Sequence, residues 1–296
     1  MKTFRTAALI FVLACAFASQ AHAVSDLMTQ AGFVPHKALY EIRLSSKKSS
    51  ATVSNISGKM LYEWHAGCDG WVSAHQFDML YDYIEIPPVR ITSDFSTYES
   101  FDSKTFNFSV QRKKDGYPFE EIRGVARLPQ EEDSGKITYT LPAGLEQELP
   151  GSALFPTAHT LDVFNKIKEG KRFYIATLFD GSDSEGPVEL NTFIGDAFEY
   201  DVKEQQAIKA AMPEEKEHID PSLLNTKAWN IRLAFFPEPS DIMADYEMSL
   251  VFHENSVISS MEIEYEDFSV VQDLVAVQRV ESGCDAVREK KKNSWE

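Results

Sequence analysis

The sequence predicts a mainly β protein: a single curled antiparallel sheet, a β-spiral or half-barrel, with one or two short helices. Three observations lead there. Short segments alternate apolar and polar residues with period two, turn-forming residues separate them at hairpin spacing, and only one stretch carries a full set of helix signals. With roughly ten or more such runs, a flat open sheet is overfilled, so the sheet must curl.

In chain order, Lys2 and Arg5 precede an apolar run from Ala7 to Ala18, and Ala21-His22-Ala23 follows as an A-x-A site. That order reads as a signal peptide over residues 1–23, cleaved after Ala23. The run is shorter than the roughly 20 residues that span a bilayer, and no later uncharged stretch reaches that length, so no stable membrane span is expected. Val12-Leu13-Ala14-Cys15 loosely resembles a lipobox, which would leave Cys15 lipidated instead of removed; the Ala23 site fits without adjustment and is preferred. Residues 24–296 then read as one domain.

Asp26 to Ala31 has weak helical character. Strand patterns follow: Tyr40/Ile42/Leu44 with Glu41 and Arg43 opposite, then Met60/Tyr62/Trp64 with Glu63 and His65 opposite. Phe106/Phe108/Val110 and Ile137/Tyr139/Leu141 continue the series, as do Phe173/Ile175/Thr177/Phe179 and Trp229/Ile231/Leu233/Phe235. Tyr246/Met248/Leu250/Phe252 and Met261/Ile263/Tyr265 complete it. Each set should share one buried face, because side chains alternate across a strand. Lys114-Asp115-Gly116, Asp133-Ser134-Gly135 and Glu254-Asn255-Ser256 supply hairpin turns.

The clearest helix follows Phe155-Pro156, with Thr157 as its cap, Leu161, Phe164 and Ile167 on one face, and Gly170 as its stop. A weaker one runs from Lys203 to Met212 and ends at Pro213. The acidic stretch Pro213 to Pro221 reads as a surface loop.

The whole chain carries 29 basic and 46 acidic residues, a formal charge of −17; removing Lys2 and Arg5 leaves 27 against 46, or −19. Such a field repels nucleic acid and anionic membranes. Of three cysteines, Cys15 leaves with the signal, and the remaining pair, Cys68 and Cys284, should form a disulfide in an oxidising compartment.

Nothing in the sequence nominates a catalytic residue: the seven histidines show no zinc-site spacing, and there is no Gly-x-Ser-x-Gly elbow, phosphate loop or dinucleotide fingerprint. Neither a cofactor nor a metal is expected. Asp180, Asp183 and Glu185 could hold calcium, but they lack the order of an EF-hand loop, and Asp and Ser at such spacing close turns. Aromatics crowd the first third. They read as core, or as the lining of an apolar groove, with Trp64 and Trp71 its candidate residues.

Several stretches resemble the envelope integrity protein B family: His36-Lys37-Ala38-Leu39-Tyr40, Gly58-Lys59-Met60-Leu61-Tyr62-Glu63-Trp64, Cys68-Asp69-Gly70-Trp71, Phe179-Asp180-Gly181-Ser182-Asp183, Tyr246-Glu247-Met248-Ser249, Glu254-Asn255 and Cys284. The resemblance implies a β-spiral related in shape to lipoprotein carriers, a disulfide from Cys68 to Cys284, and a role in envelope integrity without assigned catalytic residues. Ser256 and Glu266 stand where the family pattern leads one to expect glycine. The expected function is that of a non-enzymatic periplasmic protein that binds a protein or lipid partner on its curled sheet; the alternative is a carrier of lipid or lipoprotein acyl chains.

Overall fold

The computed structural model describes residues 32–129, 134–201, 219–237 and 242–281. The signal peptide with Cys15, the weak helices at 26–31 and 203–212, and Cys284 lie outside these residues.

Fourteen strands form one sheet. The first eight are β1 (His36–Lys47), β2 (Val53–Ala66), β3 (Gly70–Tyr83), β4 (Val89–Ser100), β5 (Thr105–Lys114), β6 (Tyr117–Arg127), β7 (Ser134–Leu141) and β8 (Glu146–Pro150). Helix α1 (Pro156–Lys168) follows, then β9 (Phe173–Leu178), β10 (Val188–Glu199), β11 (Lys227–Phe236), β12 (Tyr246–His253), β13 (Ile258–Glu264) and β14 (Phe268–Arg279). Neighbours pair antiparallel, in the order β8-β7-β6-β5-β4-β3-β2-β1-β14-β13-β12-β11-β10-β9. The chain therefore winds outward in one direction to β8, crosses over through α1, and winds back from the other edge. Irregularities in register, such as Gly195 and Asp196 of β10 standing opposite the single Asn230 of β11, bend the strands and help the sheet curl into a nearly closed barrel.

The predicted alternation holds on most strands: Tyr40 and Ile42, Met60 and Trp64, and Phe106, Phe108 and Val110 are all buried. The turn at Asp115-Gly116 has both residues at positive φ, 51° and 84°, which matches the twist of a two-residue hairpin. Ser256 also adopts positive φ, 72°, so the turn keeps a left-handed residue although its side chain is not glycine. Glu266 needs no such geometry.

Three expectations are corrected. Phe173 and Ile175 are exposed on the outer face of β9, and the inward residues are Tyr174, Ala176 and Leu178. Nearly every β9 side chain is apolar, so period two could not choose the face; Tyr174 and Leu178 take the core side, and the Phe173 ring pairs outside with Phe193, 4.8 Å away. Ser134 and Gly135 belong to β7 itself, while Asp133 lies outside the described residues. Finally, Thr157 does not cap α1: the N-cap is Phe155, which offers no side-chain acceptor.

The missing cap comes from another strand. Glu99 of β4, only 2 % exposed, accepts the Thr157 N–H at 2.7 Å and the Ala158 N–H at 2.9 Å through its two carboxylate oxygens. It satisfies donors that a helix cannot satisfy internally, and its negative charge sits where the helix dipole favours it. From this pinned end, α1 sends Val163 and Phe164 into a core shared with Trp64, Trp71, Phe101, Leu190 and Ile231.

Burial pushes the Glu99 carboxyl up to about 7, against the opposing pull of its backbone hydrogen bonds. A carboxyl whose pKa is higher folded than unfolded makes the fold less stable as pH rises between the two values. Glu99→Gln, which cannot accept both N–H groups, should lose roughly 1–3 kcal/mol, and this deficit should shrink as pH rises from about 4.5 to 7. Urea unfolding of both proteins across that range measures it; a deficit independent of pH would refute the assignment.

Candidate functional site

Inside the curled sheet lies a partly enclosed cavity of about 490 Å³. Its wall comes from the consecutive strands β12, β13, β14, β1, β2, β3, β4 and β5, closed at one end by the first turn of α1 and by the segment after β9. The other half of the barrel is filled, because α1 packs there against β9 to β12. A barrel this wide cannot be filled by its own strand side chains, so one helix leaves space on its far side.

The lining is mainly aromatic and thioether: Tyr62, Trp64, Phe77, Phe95, Met60, Met248 and Met261 are representative. Methionine adapts to irregular shapes and aromatic faces present broad apolar area, so such a wall accepts a flexible apolar chain. Trp64 faces this space. Trp71 sits behind it, stacked on Trp64 at 4.8 Å and edge-on to Phe101 at 5.1 Å, as part of the core.

Polar groups are interspersed along the same wall. His75 is enclosed by Tyr62 and Phe95, and burial lowers its pKa to about 4, so it is neutral at physiological pH. Arg112 pairs with Glu120 and donates to the Ser182 carbonyl at 2.8 Å. Gln272 is 4 % exposed, and its Oε1 has no hydrogen-bond partner. His253, by contrast, is structural: its ring nitrogens meet Thr226 Oγ1 and Ser259 Oγ, each at 2.9 Å.

The acidic segment 179–186 forms the seam of the barrel. Phe179 is buried with Phe106 and Phe108; the Asp180 carboxylate accepts the Ser182 N–H at 2.9 Å, and Asp183 accepts the Glu185 N–H at 2.8 Å, each closing a local turn. Arg112 from β5 and Gln147 from β8 then hold the Ser182 and Ser184 carbonyls, the latter at 2.9 Å. Just before the helix, Leu154 exchanges two hydrogen bonds with the end of β9, donating to Thr177 O at 2.8 Å and accepting from Phe179 N at 3.0 Å. These contacts tie the two sheet edges together. The carboxylates predicted as turn residues or calcium ligands are turn residues in this arrangement, and no group of three or more His, Cys, Asp or Glu with metal-site geometry occurs among the described residues.

Cys68 lies exposed in the turn between β2 and β3. Strands β2 and β14 flank β1 and run in the same direction, with Trp64 and Arg279 both opposite His36. Both chains leave the sheet at one end, Cys68 four residues after Trp64 and Cys284 five residues after Arg279.

Comparison with known proteins agrees with this architecture. A profile of the EipB-like family matches residues 28–281. The cell envelope integrity protein EipB of Brucella abortus (strain 2308) is 28% identical over 272 residues, 90% of each chain. A crystal structure from Brucella abortus, described as a β-barrel-like protein of a domain of unknown function, superposes with a TM-score of 0.75 at 24% identity, covering 84% of this chain and 99% of that one.

The seam makes a local prediction. Gly181 has φ of +69°, and a Cβ there would lie 2.5 Å from Cγ of Phe108. Gly181→Ala should therefore cost roughly 2–4 kcal/mol, from left-handed strain plus overpacking. Gly116→Ala, equally left-handed at +84° but with open space around it, should cost only about 1 kcal/mol. Thermal unfolding of the two variants side by side separates the contributions.

Proposed function

The chain belongs to the EipB-like family, and on that premise we propose that it supports cell-envelope integrity as an exported, periplasmic binding protein, not an enzyme, holding a ligand with a long apolar part inside its curled sheet. The observation that carries this reading is the cavity of about 490 Å³, within the roughly 300–1,000 Å³ typical of small-molecule sites and walled by aromatic and methionine side chains. A partly enclosed space of that size suits an acyl chain better than a folded protein partner. It also supports the second reading, a carrier that moves lipid or lipoprotein acyl chains between membranes, since a carrier must shield such a chain from water. The envelope role follows the name of the Brucella relative.

An uncharged naphthylamine dye should bind the native protein at one saturable site with increased fluorescence. Met248→Trp, which fills the cavity from β12, should weaken that binding about tenfold or more while circular dichroism stays that of wild type. Well-folded wild-type protein with no saturable binding would remove this reading.

We further propose that Cys68 and Cys284 form a disulfide, supported by the shared exit of β2 and β14. Closing a loop of more than 200 residues restricts the unfolded chain by about 5 kcal/mol in the entropic account. Protein purified from the periplasm and unfolded without reductant should titrate no free thiol, and Cys284→Ser should melt at lower temperature; a titratable thiol in the wild type would overturn the pairing.

A further inference from the structure

Resting on the binding reading above, the geometry points to a specific ligand chemistry: a long-chain amphiphile whose polar end donates hydrogen bonds and bears no negative charge, an alcohol or an amine, in preference to a carboxylate or phosphate. The cavity wall offers acceptors in need of donors. Gln272 of β14 is 4 % exposed and its Oε1 is unpartnered, a buried acceptor that a ligand hydroxyl or ammonium would satisfy. Ser256 Oγ, also on this wall, has no partner either. His36 lies 2.7 Å from the Val34 carbonyl through Nδ1. A carbonyl only accepts, so Nδ1 carries the proton, and in the neutral ring Nε2 keeps its lone pair.

The same wall has no uncommitted positive charge among the described residues. Arg112 is its one guanidinium; its charge is already paired with Glu120, and it donates a hydrogen bond to the Ser182 carbonyl. His36 and His75 are buried, and burial lowers the pKa of both, so neither offers a cation at neutral pH. Asp180 adds a carboxyl to the same wall. An anionic head would thus enter an apolar space, near another acid, with no cation to meet it, which is costly for a buried charge. An alcohol or amine would meet acceptors that are otherwise unsatisfied.

Displacement of the naphthylamine dye from native protein by tetradecanol, tetradecylamine and tetradecanoic acid, each below its aggregation threshold, tests the preference. The alcohol and the amine should displace dye at concentrations at least about tenfold lower than the acid. The alcohol is the deciding arm, because the chain's net charge of −17 would attract any cation. Equal or stronger displacement by the acid overturns the inference, as does saturable dye binding that none of the three reverses. Failure of the dye itself to bind would instead sink the binding reading, and this inference with it. Gln272→Leu, close in size, should narrow the advantage of the alcohol over the acid at least threefold, with each displacement read against that variant's own dye affinity; an unchanged ratio overturns the role of Gln272.

Discussion

A fourteen-stranded sheet imposes two constraints at once: it has two unpaired edges, and it encloses more space than its inward side chains can fill. One stretch of chain meets both. Between β8 and β9 the backbone stitches to the far edge through Leu154, sends α1 into the interior, and returns through a segment that Arg112 and Gln147 hold against the first edge. All of this depends on where α1 begins. Glu99 fixes that point, since a carboxylate on β4 receiving two N–H groups leaves the helix little freedom to slide along the wall.

The pinned helix also explains why the interior is uneven. Its thirteen residues bring Val163 and Phe164 against one set of strands and fill that half, forming a core with Leu178, Leu190 and Phe252. On the opposite side no element enters among the described residues, and the strands from β12 round to β5 face open space. The aromatic and methionine residues there have burial without full contact, a state that favours an occupant because each unfilled contact forgoes dispersion energy. Core and cavity share a boundary: the first turn of α1 is both the end of the cavity and the beginning of the plug.

Much of the fold was legible because strands report themselves locally. Tyr40 and Ile42, or Phe106, Phe108 and Val110, each show their buried face within a few residues, and Asp115-Gly116 fixes a hairpin by its own backbone preference. Legibility failed where a decision was made at long range. β9 is apolar on both faces, so its orientation is set by the helix it packs beneath. The cap of α1 could not be found near Thr157 because it lies 58 residues earlier. Phe108 is wedged between Gly124 and Gly181, residues 57 apart whose lack of a side chain makes room for one ring. Neither glycine stands at a position that local turn chemistry would single out for that purpose.

The candidate site was the least legible, for a related reason. A cavity is defined by what does not arrive, and no local pattern records an absence. Aromatic content suggested a groove, but Trp64 and Trp71, similar in sequence terms, differ in what they reach: they stack on the same face of β2 and β3, and of the two only Trp64 lines the open space. Polar residues were harder still. Gln272 occupies a position in β14 where alternation allows either face, and its meaning comes from the surrounding wall, where the histidines are neutral and the guanidinium is already paired. The chemistry that such a wall can recognise therefore belongs to the curled sheet as a whole, assembled from eight strands, and it exists only once the helix has been fixed on the other side.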